Sequence, residues 1–140
     1  MPAENLLEEP SLALFQRQWK LYRKVVDNNY LFHREAYAQL HRILVDEGVR
    51  PFRFLFLIYE NASPDGEDRT AWLRRHDSQK PFWTALTPEE WDAITAHIHT
   101  ADFPETTSRW RSLGREAGFS RVRQLFVAPS NLFRLYCFQA

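Results

Sequence analysis

The stretch Gly48–Arg69, GVRPFRFLFLIYENASPDGEDR, contains the most apolar run of the chain. Residues 54–59 are apolar on both alternating faces, which is typical of a strand that is covered on both faces. This pattern predicts a layered α/β fold with helices on each side of a sheet. Such strands usually lead into the loop that holds a ligand, often a glycine-rich turn. Here the run ends in Asn61–Gly66 without any GxG pattern, so the position of a binding site must be found elsewhere.

Length, charge and cysteine content limit the classes of protein that fit. With 140 residues the chain is long enough for one domain with a sizeable core. Its 18 basic and 18 acidic residues cancel, so no overall field attracts nucleic acid or an anionic membrane. No apolar run approaches a membrane span, and the acidic start is unlike a signal peptide. The single Cys137 excludes an internal disulfide, and we expect a cytoplasmic protein.

Apolar periodicity and helix start signals predict five helices around the strand. Thr87-Pro88-Glu89-Glu90 is the clearest start, with a capping threonine, proline at the first helical position and acids in the first turn. Alternating residues on both sides of Pro129–Asn131 predict a closing hairpin of two strands, 120–127 and 132–138. The predicted helices cover residues 11–27, 30–46, 67–77, 87–100 and 106–117.

Two blocks of the sequence resemble the outer parts of a class I S-adenosylmethionine-dependent methyltransferase. The block QWKLYRKVVDNNYLFHREAYAQLHRIL is similar to the family's amino-terminal cap helices. The blocks FLIYENASPDGEDRTAWL and HIHTADFPETTSRWRSLGREAGFSRVRQLFVAPSNLFRLYCF are similar to its fifth strand, last helices and terminal hairpin. The resemblance implies a truncated Rossmann-like fold with cap-like helices in residues 1–48 and the family's carboxyl-terminal part in 49–140, forming one domain. It also implies a three-stranded mixed sheet in which 132–138 lies between 53–59 and 120–127, antiparallel to both.

The sequence departs from the family where the cofactor would bind. In the family, a segment like Arg50–Leu55 continues into a glycine-rich loop around S-adenosylmethionine, and a later strand ends in an acidic residue that binds the ribose. In this chain PFRFL runs straight into FLIYE. We therefore expect a methyltransferase-derived scaffold that lacks the cofactor-binding core, needs no cofactor and has no independent catalysis. Two alternatives stay open. The chain is an S-adenosylmethionine-dependent methyltransferase or small-molecule binder acting as a dimer, with a pocket under the Tyr22–Arg34 helices, or it is a protein-interaction and dimerisation module.

The resemblance also points to individual residues. The matching cap segment of the family lies over the cofactor cleft, so Tyr22, Tyr30, His33 and Arg34 are candidate remnants of cofactor binding, and Glu60 is a candidate remnant of substrate binding. The competing interpretations are structural: His33 as a packed core histidine, and Glu60 as one of several loop charges. No residue is predicted to be catalytic.

Histidine spacing argues against a metal site. His97 and His99 are two residues apart on a predicted helix, so their rings point to opposite sides and cannot converge with Asp102 on one ion. His33 and His41 lie too far apart along one helix to share an ion.

The expected partner is a second copy of the chain. Arg121 and Arg123 alternate with apolar residues, but no stacking motif accompanies them, so we expect no nucleic-acid partner. Without the strand that flanks it in the family, Phe52–Tyr59 would be a bare edge strand, apolar on both faces. The sequence therefore predicts a homodimer through this edge.

Overall fold

The computed structural model describes residues 9–46 and 55–140, which contain five α-helices and four strands. They form a small α/β domain with one short 3-10 turn at Lys80–Phe82. The helices are α1 (Glu9–Asp27), α2 (His33–Asp46), α3 (Arg69–Asp77), α4 (Pro88–Ala101) and α5 (Thr107–Glu116), and the strands are β1 (Leu55–Ser63), β2 (Glu105–Thr106), β3 (Arg121–Val127) and β4 (Phe133–Gln139).

Capping side chains fix where several helices begin. At α4 the predicted signal is confirmed as a full capping box, in which Thr87 and Glu90 each accept the other's backbone N–H. Helix α3 begins two residues later than predicted because the Asp68 carboxylate accepts the Ala71 N–H at 2.7 Å. Helix α2 begins at His33 rather than at residue 30. The intervening turn contains backbone with positive φ, including Phe32 at 56°, which a helix cannot accommodate.

The sheet order is β2-β1-β4-β3. As predicted, β4 lies between β1 and β3 and runs antiparallel to both, with Ile58 opposite Tyr136 on one side and Gln124 opposite Tyr136 on the other. Because β4 is a central strand, its residues 134–138 are all buried. Helix α5 packs on one face, and the connection between α1 and α2 contacts the other.

The prediction of three strands is wrong by one. A short fourth strand, β2, pairs with β1 in parallel at Ala62 and Ser63. Strand β1 also extends to Ser63, past the predicted end at 59, because its later residues pair with β4 on one edge and β2 on the other. Residues 52–54, where the predicted strand and dimer edge begin, lie outside the described residues.

The buried apolar residues form two clusters. On the α5 face, Ala62, Tyr136 and Phe138 form a buried cluster. On the opposite side, Val25 of α1 packs with Trp83 and Trp91, whose rings meet edge to face at 5.4 Å. Partly buried residues complete the second cluster: Tyr30, Leu31, Leu86 and Ile94. This second cluster forms part of the wall of the candidate site.

Candidate functional site

A cavity of about 820 Å³ lies between α1, α4, the first turn of α2 and the sheet. Helix α1 contributes Tyr22 and Val25, the sheet contributes Tyr59 and Phe133, and α4 contributes Ile94, among other residues. A volume of this size is within the range of small-molecule sites. The cavity sits beside the end of β1, the strand that has no glycine loop after it. It is the candidate functional site.

Three rings in the cavity wall carry nitrogen atoms that have no hydrogen-bond partner among the described residues: Trp72 Nε1, His76 Nε2 and His33 Nδ1. Trp72 and His76 are only 1% and 2% exposed. Buried polar atoms are nearly always hydrogen-bonded in folded proteins, because an unpaired one costs free energy. All three nitrogens are buried within the wall itself.

His76 is held in place by its neighbours. Its ring is nearly parallel to those of Trp91 and Trp72, at centroid distances of 5.2 and 6.2 Å, and lies edge to face with Trp83. Its Nδ1 lies 3.2 Å from Asp77 Oδ1. Burial lowers the pKa of His76 below its usual value, and the hydrogen bond to Asp77 opposes that shift. His76 is thus a fixed imidazole with one nitrogen toward Asp77 and one without a partner.

Asp102 is the half-buried carboxylate of the cavity. Its Oδ2 accepts a hydrogen bond from Asn61 Nδ2 at 3.1 Å. Burial raises the pKa of Asp102, while the nearby imidazoles of His97 and His76 pull it down. Asn61 and Asp102 both line the cavity, so this pair adds a second polar region to its wall.

The cavity brings together three of the five residues that the sequence singled out. Tyr22, His33 and Glu60 line it, and His33 contacts Tyr59 with a centroid distance of 5.5 Å. Tyr30 and Arg34 are not among the lining residues.

Tyr30 and Arg34 have structural contacts instead. The Tyr30 ring stacks on Trp83 at 5.1 Å, and its hydroxyl accepts the Ala85 N–H at 2.6 Å. Arg34 is exposed and donates to the Asp27 carbonyl at 2.9 Å.

Sequence reasoning did not assign the most buried wall residues to a site. Neither Trp72 nor His76 was singled out as a site residue. Aromatic residues at helical spacing look the same in the sequence whether they fill a core or line a cavity. Asp102 was considered only as a metal ligand, and its approach to Asn61 depends on packing between α4 and β1.

The prediction that His97 and His99 face different ways agrees with the structure. His97 lines the cavity, whereas His99 Nε2 lies 2.9 Å from Asp77 Oδ1. The pair His33 and His41 is also separated, since His33 lines the cavity and His41 is exposed.

The charged groups of the cavity wall are acidic or imidazole. Glu60 and Asp102 are its carboxylates, and among the described residues that line it there is no lysine or arginine. Because phosphate groups are held by cationic side chains or helix N-termini, this wall does not favour a polyanionic ligand.

A scan against protein-family models, a search of curated proteins and a search of solved structures each found no match to this chain. None of the helices in the described residues combines the length and apolarity needed to cross a bilayer.

Proposed function

We propose that this chain is a small-molecule-binding domain, derived from a truncated Rossmann-like methyltransferase scaffold and without independent catalysis. The observation that carries the proposal is the cavity of about 820 Å³ whose aromatic wall contains three unpartnered ring nitrogens. A merely structural cavity of this size would lose packing contacts without compensation. A ligand that fills it would restore those contacts.

The wall indicates the class of ligand. Tyr22, Tyr59 and Phe133 offer ring faces and edges on which a planar group can stack. With carboxylates but no lysine or arginine in the wall, the ligand is neutral or cationic. A planar, aromatic, uncharged or cationic compound with a polar edge fits these conditions.

The methyltransferase origin is supported by the order of the sheet. The resemblance implied that the last strand lies between the other two long strands, and β4 occupies that place. Tyr22 and His33, the candidate cofactor-binding remnants of the cap, line the cavity together with Glu60, the candidate substrate-binding remnant. The chain's four glycines provide no loop like the one that binds S-adenosylmethionine in that family. We therefore propose a binding function that keeps the position of the ancestral cleft but not its chemistry.

Ligand-observed and protein-observed NMR test the binding proposal. The probes are indole, quinoline and benzamide, three planar compounds with different polar edges. We expect saturation transfer from the protein to at least one probe, together with a shift of the Trp72 indole N–H signal. That signal is one of five tryptophan side-chain signals and is identified with Trp72→Phe. If none of the probes binds at millimolar concentration, the binding proposal is wrong.

A matched pair of variants locates the binding site. Ala96 and Ala38 are both exposed helical alanines, but only Ala96 lines the cavity. Ala96→Trp should abolish binding of the probe by filling the cavity, whereas Ala38→Trp should leave it unchanged. Equal binding by both variants would place the probe elsewhere and contradict the proposal.

Calorimetric titration with S-adenosylmethionine and S-adenosylhomocysteine distinguishes the enzyme alternative. The proposal expects no binding of either compound at micromolar concentration. Micromolar binding would instead favour an S-adenosylmethionine-dependent methyltransferase, since the cofactor would then have a site without the glycine loop.

A second candidate function, dimerisation through β1, has its own supporting observation. Strand β1 pairs with β4 along Leu55–Asn61, but on its other edge the described residues provide a partner only at Ala62 and Ser63. An unpaired edge of this kind can pair with the same edge of a second chain. We propose the homodimer on this basis.

A further inference from the structure

We propose that His76, Asp77 and His99 form a binding site for a divalent transition-metal ion such as Zn²⁺. The three residues come from the last turns of two neighbouring helices: His76 and Asp77 end α3, and His99 lies in the last turn of α4. Each offers one donor atom, and these atoms all lie within 4.8 Å of one another. The site involves a different set of residues from the histidine pairs that the sequence analysis excluded.

The spacing of the donors suits a small tetrahedral ion. Asp77 Oδ1 lies 3.2 Å from His76 Nδ1 and 2.9 Å from His99 Nε2. In a tetrahedral zinc site with bonds of about 2.0–2.1 Å, donor atoms are about 3.3 Å apart. Small side-chain shifts would therefore place an ion at bonding distance from all three.

The donor set selects the class of ion. Two imidazole nitrogens and one carboxylate oxygen suit Zn²⁺ and related transition metals, whereas Mg²⁺ and Ca²⁺ require oxygen ligands. Among the described residues, no fourth histidine, cysteine or carboxylate joins the group. Three protein donors leave one coordination position for water or another small ligand.

One of the donors is already fixed in position. The His76 ring is 2% exposed and packs against Trp72, Trp83 and Trp91. A ligand that is held before the ion arrives loses little conformational entropy on binding. Asp77 and His99 are exposed, which leaves a route of entry for the ion.

Metal binding has a definite consequence for the protons of the site. Bound to the ion through Nδ1, neutral His76 must carry its proton on Nε2; in the same way, His99 must carry its proton on Nδ1. In the metal-free hydrogen-bonded arrangement, neutral His76 donates from Nδ1 to Asp77, so the proton is on the other nitrogen. The tautomer of His76 thus distinguishes an ion from a hydrogen bond at this position.

The position of the ion suggests a structural role. It would join the carboxyl-terminal ends of α3 and α4 immediately behind His76, a wall residue of the cavity. Binding of the ion to the folded chain alone would raise its stability by mass action. This inference does not depend on the cavity having a ligand, and the two proposals fail separately.

Calorimetric titration of tag-free protein with ZnCl₂ and with MgCl₂ tests the site. We expect one Zn²⁺ per chain and no heat from Mg²⁺. Asp77→Asn and His99→Ala should each weaken Zn²⁺ binding by at least about tenfold, since even loss of an outer partner costs that much in known sites. His41→Ala, which removes an exposed histidine on α2, is the matched control and should bind as the wild type does.

Imidazole ¹⁵N NMR supplies the second readout, because the His76 proton should move to Nε2 when Zn²⁺ is added. Circular dichroism shows whether the variants fold. If Asp77→Asn does not fold, Zn²⁺ binding by the His99→Ala variant, which changes an exposed residue, serves as the test. The proposal would be overturned if the wild type bound Zn²⁺ no more tightly than His99→Ala does. It would also be overturned if the His76 tautomer did not change at saturating Zn²⁺.

Discussion

Arg69, the first residue of α3, donates from Nε to the backbone carbonyl of Asp102 at 2.8 Å, just beyond the end of α4. The same guanidinium donates to the His99 carbonyl at 2.7 Å and lies 4.2 Å from the centre of the Phe103 ring. The last carbonyls of a helix have no partner within it, so Arg69 satisfies two otherwise unpaired groups. It also joins the two helices that flank the proposed metal site.

Replacement of Arg69 should therefore destabilise the protein more than loss of a surface charge would. We expect Arg69→Ala to lower the free energy of unfolding by about 1–3 kcal/mol, since hydrogen bonds to charged groups contribute about this much. Arg74→Ala, an exposed arginine in the same helix, is the control and should change it by less than about 0.5 kcal/mol. Urea unfolding gives both values, and equal effects of the two substitutions would contradict this assignment.

Replacement of Gly114 by alanine should have an unusual effect on the stability of the protein. In most helix interiors a change from glycine to alanine is stabilising. Here a Cβ at Gly114 would lie 2.4 Å from Val122 Cγ2 and 2.7 Å from Phe138 Cδ1, because α5 approaches the sheet at this residue. We expect Gly114→Ala to destabilise the protein by about 1–3 kcal/mol, as overpacking does in other cores. Chemical unfolding measures the change; a gain in stability would show that α5 lies farther from the sheet.

Protonation of Glu90 should make the protein less stable at acidic pH. Its pKa is lowered first by the hydrogen bond from Lys24 and then by that from the Thr87 N–H. Because the folded-state pKa lies below the ordinary value of 4.5, this contribution is present above pH 4.5 and is lost as the pH falls through the folded value. We expect the stability of Glu90→Gln to fall less than that of the wild type between pH 6 and pH 3. Parallel pH profiles of the two proteins, measured by thermal unfolding, would contradict the prediction.

The sequence was sufficient to predict those structural features that depend on neighbouring residues. The start of α4 follows from Thr87 and Pro88, and the closing hairpin follows from alternation around Pro129–Asn131. These features depend on neighbouring residues and on backbone hydrogen bonds that the nearby chain supplies. The central place of β4 came from the family resemblance rather than from any local pattern.

The sequence was insufficient where distant segments meet. Strand β2 has only two residues, and its pairing with Ala62 and Ser63 has no local pattern. In α1 the apolar residues Trp19 and Tyr22 are 56% and 47% exposed, whereas Val25 is buried. A helix period identifies an apolar stripe, but the neighbouring elements determine which part of it is covered.

The proposed metal site depends even more on contacts between segments that are far apart in the sequence. The group His76, Asp77 and His99 forms only because α3 and α4 end side by side, and the sequence separates its members by 22 residues. Spacing rules apply within one helix, so they could exclude His97 with His99 but could not find this group. Tyr22, His33 and Glu60, which the family resemblance singled out, line the cavity, but their role in binding stays a prediction.

The edge of β1 carries the last prediction, the homodimer through Phe52–Tyr59. Two identical edges that meet antiparallel about a two-fold axis form a closed interface, so the association stops at two chains. We expect light scattering coupled to size-exclusion chromatography to give the mass of a dimer at micromolar concentration. Leu57→Lys should give a folded monomer, because a lysine at the edge opposes pairing. Val127→Lys, at the end of the opposite edge strand β3, is the matched control and should remain dimeric. A monomeric wild type, or a Leu57→Lys variant that is folded and fully dimeric, would defeat the prediction.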